Sequence, residues 1–252
     1  MGARTVLVTG GAKRLGAAIA RRLAAGGWRV VIHHHRSREE AEALAAELGG
    51  TTVAGDLASE EAVGRLIQDA RAAADDIVDA LVNSASLFEF DRPPDVSAEL
   101  LQRLMLVNHA APVRLACALA GQEELRDGAV VNLLDQKVAN LNPDFFSYTG
   151  GKIALEGATR MLAQALGPKV RVNAVSPGLT LPSGDQRPGE FATAAGKNLL
   201  RRPVGAEAVA DAVAFLLEAR GVTGQNLFVD CGQRFVLRDG DVMFEDREPV
   251  GG

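Results

Sequence analysis

Short β-branched runs alternating with amphipathic stretches constrain this chain more than any other feature. TVLVT is followed by a helix-like stretch over Leu15–Ala25, then by WRVVIH and Arg38–Leu48. TTVAGD precedes Glu60–Ala74, ALVNSAS precedes a long helical stretch over Leu100–Ala120, and VVNLL leads to a helix around Tyr148. KVRVNAV, a helical stretch near Glu207–Ala219 and QNLFVD complete the series. Such runs form right-handed βαβ units and a parallel sheet. The expected fold is α/β: a doubly wound Rossmann fold, a mostly parallel sheet of about seven strands with helices on both faces. No boundary or repeat divides the chain, so residues 1–252 are expected to form one dinucleotide-binding catalytic domain. The irregular stretch between Pro177 and Pro203 is too long for an ordinary connection; residues 179–203 read as a substrate lid, and 239–252 as a C-terminal tail.

A chain of 252 residues can bury a generous core, and a net charge of −5 leaves no nucleic-acid footprint. Cys117 and Cys231 form no CxxC pair and read as reduced thiols. MGARTVLVTG runs straight into a strand without a signal-peptide apolar region, and no apolar run approaches ~18 residues. The expectation is a soluble cytoplasmic protein without a membrane span.

Between the first strand and its helix stands Thr9-Gly10-Gly11-Ala12-Lys13-Arg14-Leu15-Gly16. Glycines here permit a tight turn and let a pyrophosphate approach backbone N–H groups at a helix N-terminus. The spacing departs from G-x-G-x-x-G, and a plain glycine-containing turn is the competing explanation. At the end of the second strand an NAD site places an acid for the ribose hydroxyls. This chain has His33-His34-His35-Arg36-Ser37, which suits a 2′-phosphate, with Lys13 as a further cation. The histidines are not expected to bind metal, because successive strand residues point to opposite faces. NADPH is the expected cofactor. Asp56 either accepts from an adenine amino group or caps a helix, and Leu57 adjoins it. Asn83-Ser84-Ala85-Ser86 supplies small residues against which a cofactor could lie, and Phe88 either anchors its loop or stacks on a planar substrate.

The segment VVNLLDQKVANLNPDFFSYTGGK carries the candidate chemistry. Tyr148 and Lys152 are four apart and share a helix face. A phenol is a poor acid near neutrality, and an ammonium beside it is expected to lower its pKa and make proton transfer practicable. Tyr-x-x-x-Lys alone equally describes an exposed surface pair; its position after a strand and the acidic Asp135 favours the functional explanation. Gly150-Gly151 inside this helix costs about 0.5–1 kcal/mol each relative to Ala, which close approach of a cofactor or partner helix would explain.

Thr9–Gly16, Asn83–Ser86, Asn108, Tyr148-x-x-x-Lys152 and Pro177-Gly178 together resemble the short-chain dehydrogenase/reductase family, from about Arg4 to Gly232. Lys13-Arg14, His35-Arg36-Ser37, Phe88 and Asp135 make the chain most like the pteridine reductases and dihydromonapterin reductases within it. The resemblance implies NADPH bound by Gly10, Lys13, Arg14, Leu15, Gly16, His35, Arg36, Ser37, Asp56, Leu57, Asn83, Ala85, Ser86, Pro177, Gly178 and Thr180. It implies Tyr148 as proton donor, Lys152 on the nicotinamide ribose, and Asn108 holding a water of the proton relay. Arg14, Ser86, Phe88, Asp135 and Tyr148 would meet the substrate, with Phe88 and the nicotinamide sandwiching a pterin. A homotetramer is also implied.

Most of the broad family carries Ser at the position of Asp135, where its hydroxyl binds a carbonyl oxygen. An ionised aspartate opposes a developing oxyanion and suits a substrate presenting N–H groups or a ring nitrogen to be protonated. The alternative is that Asp135 merely caps a turn while another hydroxyl replaces the serine. The expected function is therefore NADPH-dependent reduction of a pterin or dihydropterin. The alternatives are reduction of ketones or 3-oxoacyl thioesters, and a non-catalytic NADP(H)-sensing module.

Overall fold

The computed structural model describes residues 3–182 and 190–244. Thr5–Thr9 (β1), Arg29–His34 (β2), Thr51–Ala54 (β3), Ala80–Asn83 (β4), Gly128–Leu133 (β5), Val170–Pro177 (β6) and Asn226–Val229 (β7) form one seven-stranded sheet, ordered β3-β2-β1-β4-β5-β6-β7. Every neighbouring pair is parallel. The order reverses between β1 and β4, which opens a crevice beyond their carboxyl ends.

Residues of one strand alternate between two cores. Val6 and Val8 of β1 join the cluster of Ile19, Leu23, Val209 and Leu216, contributed by α1 (Arg14–Ala25) and α8 (Ala206–Glu218). Leu7 between them joins Leu66, Leu115 and Leu162 on the other face, from α3 (Glu60–Ala74), α5 (Ala111–Ala120) and α6 (Phe146–Leu166). Both faces are covered, so the β-branched runs read as continuously apolar. Each fully buried leucine contributes about 1.5–3 kcal/mol. Helix α2 (Arg38–Leu48) packs on β2 and β3 at the sheet edge.

Two helical expectations are corrected. The stretch expected as one helix over Leu100–Ala120 is α4 (Ala98–Met105), a wide π turn over Leu106–Ala110, and then α5. Pro112 has no N–H to give the Asn108 carbonyl four residues earlier, so the regular ladder cannot continue there. The segment expected to be irregular contains a short helix, α7 (Glu190–Ala195). Part of the expected lid (183–189) and of the expected tail (245–252) lies outside the described residues. The described part of the tail is docked: Met243 is buried in a cluster with Leu104, Phe145 and Tyr148.

Candidate active site

A cleft of about 760 Å³ runs along the carboxyl ends of the central strands. Gly10, Lys13, Arg14, Leu15, Gly16, His35, Arg36, Ser37, Asp56 and Leu57 line one end. Ala85, Ser86, Phe88, Asp135, Tyr148, Lys152, Pro177, Gly178 and Thr180 line the rest.

The glycine turn is shaped by its neighbours. Gly10 has φ +60°, and a Cβ there would meet Ala85 Cα at 2.8 Å; one on Gly16 would meet the Gly10 carbonyl oxygen at 2.2 Å. His33 is the pin: its Nδ1 accepts from Gly10 N at 3.1 Å, which leaves its Nε2 to donate to the Gly55 carbonyl at 3.1 Å. Burial pushes this imidazole down to about 4, so it is neutral and structural. His35 points outward, 3.9 Å from an Asp56 carboxylate oxygen, and Lys13 pairs with Glu40. Asp56 Oδ1 accepts from Ala58 N in the turn before α3, but the helix cap weighed for it falls to Ser59, whose hydroxyl accepts from Ala62 N. Neither Lys13 at the start of α1 nor Ser37 at the start of α2 makes a side-chain cap, so the first amides of both helices face the cleft end without one. Arg14 donates from Nη2 to the Pro182 carbonyl across the mouth of the cleft.

Asn83 is turned away, correcting its expected place in the cofactor site. Its side chain is buried and donates to Asn132 Oδ1 at 2.8 Å, tying β4 to β5. Thr9 Oγ1 instead organises the loop after β4, accepting from Ser84 N and Ala85 N.

Where β5 ends, the extended Asp135 caps the turn Gln136–Ala139: its Oδ1 accepts from Lys137 N at 2.8 Å. Its Oδ2 accepts from the Tyr148 hydroxyl at 2.9 Å. The two roles contrasted in the sequence, turn cap and cleft acid, thus fall to different oxygens of one carboxylate. Burial raises the pKa of Asp135, opposed by the bonds from Lys137 N and Tyr148. Tyr148 is raised well above the ordinary phenol value, by burial first and the adjacent Asp135 second. This corrects the expectation that Lys152 lowers Tyr148. The lysine Nζ donates to the Leu133 carbonyl at 2.8 Å and stands 5.6 Å from the Tyr148 ring centroid, and burial pushes Lys152 itself down to about 8.

Helix α6 has no cap of its own, because Phe145 precedes it. Asp91, from the loop after β4, supplies one: Oδ1 accepts from Ser147 N at 2.9 Å and Oδ2 from the Ser147 hydroxyl. Sequence reasoning missed Asp91; nothing local marks it. The same loop carries Phe88, whose ring stacks on Phe145 at 4.1 Å and meets Tyr148 edge-on at 4.8 Å. Asn108 is buried in the π turn, its side chain accepting from Ser86 Oγ and Leu87 N and donating to the Leu87 carbonyl. Its amide is therefore engaged in holding the loop after β4. Pro112 has no N–H to offer the Asn108 main-chain carbonyl. Gly151 explains itself by packing, since a Cβ would sit 3.3 Å from Asn108 Cβ; Gly150 faces open space and has no such account.

The family model described as enoyl-(acyl carrier protein) reductase matches residues 10–234. The chain belongs to the short-chain dehydrogenase/reductase family. Within this family it resembles the crystal structure of FolM alternative dihydrofolate reductase 1 from Brucella canis complexed with NADP. The two are 42% identical with a TM-score of 0.89, covering 93% of this chain and 95% of that one. It is 28% identical over 235 residues to the dihydromonapterin reductase of Enterobacter sp. (strain 638), covering 91% of this chain and 96% of the relative. The granaticin polyketide synthase putative ketoacyl reductase 2 of Streptomyces violaceoruber is another family relative, 34% identical over 240 residues, with 91% and 96% covered. Among the described residues no helix is long and apolar enough to cross a membrane, and no group of three or more His, Cys, Asp or Glu could hold a metal ion.

Proposed function

We propose that the protein is an NADPH-dependent reductase of pterins or dihydropterins. One observation carries this reading: Asp135 lies in the cleft with its carboxylate 2.9 Å from the Tyr148 hydroxyl. A carboxylate there opposes the oxyanion of a ketone reduction and accepts the N–H groups that a pterin presents. The likeness to an alternative dihydrofolate reductase at 42% identity and to dihydromonapterin reductase points the same way.

The residues present fit NADPH. The uncapped start of α1 suits a pyrophosphate over Gly10, Lys13, Arg14, Leu15 and Gly16. His35, Arg36 and Ser37, with no acid at the end of β2, suit a 2′-phosphate. Asp56 and Leu57 would border the adenine, and Ala85, Ser86, Pro177, Gly178 and Thr180 the nicotinamide half. Bound NADPH supplies the hydride for reduction of a ring C=N bond.

Tyr148 would be the proton donor to the ring nitrogen: burial and the adjacent Asp135 keep it protonated in the resting protein, and a substrate N–H drawing on the Asp135 carboxylate would lessen the second of these causes and bring the phenol toward proton transfer. Asp135 orients the ring by accepting an N–H and, its own pKa raised by burial, stands beside Tyr148 in the same proton network. Lys152 has two N–H groups beyond the one given to Leu133, enough for a ribose hydroxyl. A water on the Asn108 carbonyl would complete the relay. The ring face of Phe88 away from Phe145 offers the stacking surface. Residues 1–252 act as one catalytic domain, with 179–203 as lid, in a cytoplasmic homotetramer.

An NADPH-oxidation assay with dihydropterins, dihydrofolate and a ketone panel tests this. Dihydropterins are expected to turn over fastest; fastest turnover of a ketone would favour the second reading, a carbonyl reductase, which the ketoacyl reductase relative supports.

A further inference from the structure

A buried ion pair outside the reacting groups ties the end of the described chain to the floor of the cleft. Lys137 lies two residues after Asp135 and is 3% exposed. Its Nζ donates to Asp241 Oδ2 at 3.0 Å and to the Asp144 carbonyl at 2.7 Å, and it lies 5.1 Å from the Phe145 ring centroid. Asp241 N in turn donates to Asp144 Oδ2 at 2.7 Å, and Asp241 Oδ1 accepts from Met243 N at 3.0 Å. Phe244 closes the turn, its N–H bonded to the Asp241 carbonyl and its ring stacked on Phe145 at 5.9 Å and edge-on to Phe90 at 5.4 Å. The outcome is that Met243 is held against Tyr148 and Phe145 and lines the cleft.

We propose that the turn Asp241–Phe244 is a built wall of the substrate end of the cleft, with Met243 its specificity-determining side chain and the Lys137–Asp241 pair its anchor. A long, polarisable thioether beside a phenol and a phenylalanine is apolar and adaptable, which suits the edge of a planar heterocycle rather than a charged chain. A surface tail would not carry a buried charge pair, because one lost partner leaves the other charge uncompensated. The pair also shares its turn with the Asp135 cap, so the wall and the acid are placed by one unit. The nature of the substrate rests on the pterin reading above; the wall itself does not.

The test uses the full chain and whichever member of the pterin, dihydrofolate and ketone panel the unaltered protein turns over fastest. Met243→Trp is expected to raise KM about tenfold or more while the Kd for NADPH stays within about twofold, as differential pocket contacts do. Met243→Ala is expected to shift preference toward bulkier substrates. Asp241→Asn is expected to raise KM as Met243→Trp does, and the double variant Lys137→Met/Asp241→Leu, which replaces the pair by apolar groups, to recover part of the loss. Unchanged KM and unchanged preference in both Met243 variants, at native melting temperature, would overturn the proposal. A fast ketone with a responsive Met243 would instead overturn the pterin reading and leave the wall standing.

Discussion

Tyr148 donates its hydroxyl proton to Asp135 across 2.9 Å, so the phenol is held protonated by its burial first and by the carboxylate it faces second. The lysine on the same helix face is turned to a main-chain carbonyl instead. Replacing Tyr148 by Phe removes the proton donor and leaves the stacking edge beside Phe88. We expect kcat to fall about 10²–10⁴-fold with NADPH affinity nearly unchanged. Equilibrium binding and steady-state turnover on the same preparation check this; wild-type turnover in the variant would remove Tyr148 from its role.

Gly10 depends on a neutral imidazole. His33 Nδ1 can accept from Gly10 N only while it is unprotonated, and burial pushes its pKa down to about 4 from an ordinary 6.5. The folded protein therefore resists a proton that the unfolded chain accepts. The corresponding stability is present above pH 6.5 and is lost as pH falls toward 4, about 3 kcal/mol in all. Urea unfolding between pH 7 and 4 should show this loss, whereas NADPH affinity should fall only near pH 4, where the folded imidazole takes its proton. His33→Asn, which keeps an acceptor without titrating, should flatten the slope; a slope that persists would place the acid sensitivity elsewhere.

Asp91 caps the helix that carries Tyr148 and belongs to the loop that carries Phe88. Asp91→Ala leaves Ser147 N unpaired in a buried place, a cost of about 1–3 kcal/mol. Turnover should drop by more than the change in NADPH affinity, because the loss is of alignment between phenol and substrate loop. Asp91→Asn keeps one acceptor and should recover much of the loss. Equal effects of both variants on kcat and on NADPH affinity would argue for a general structural role.

The paired glycines of α6 should behave oppositely. Gly150 faces open space, so Gly150→Ala gains about 0.5–1 kcal/mol of helix stability. A Cβ on Gly151 would press on Asn108, which three hydrogen bonds hold to the substrate loop, so Gly151→Ala destabilises and lowers kcat. Thermal melts and kcat of the two variants decide it; stabilisation by both would mean that the π turn yields easily.

What the sequence disclosed was what short-range pattern controls. The β-branched runs, the glycine turn and the Tyr148–Lys152 face are written in residues a few positions apart, and the sheet and cleft follow from them. Asp91 was invisible because its bond to Ser147 spans 56 residues, and Lys137 because its partner Asp241 lies 104 residues away. Three successive histidines said nothing of which one pins the glycine turn; His33 and His34 are both buried, and it is His33 whose ring meets Gly10 N and the Gly55 carbonyl. The protonation of Tyr148 was misjudged for a related reason. Spacing placed Lys152 on the right face, but burial of the phenol and the carboxylate of Asp135 beside it outweigh the lysine.

The most direct measurement is the substrate preference of Asp135→Ser. A carboxylate facing Tyr148 favours N–H-bearing rings, and a hydroxyl favours a developing oxyanion. The variant should lose about 100-fold or more in kcat/KM for its best dihydropterin, some 3 kcal/mol of transition-state stabilisation, while ketone reduction holds or rises. Undiminished dihydropterin reduction, or a parallel fall for ketones, would contradict the account.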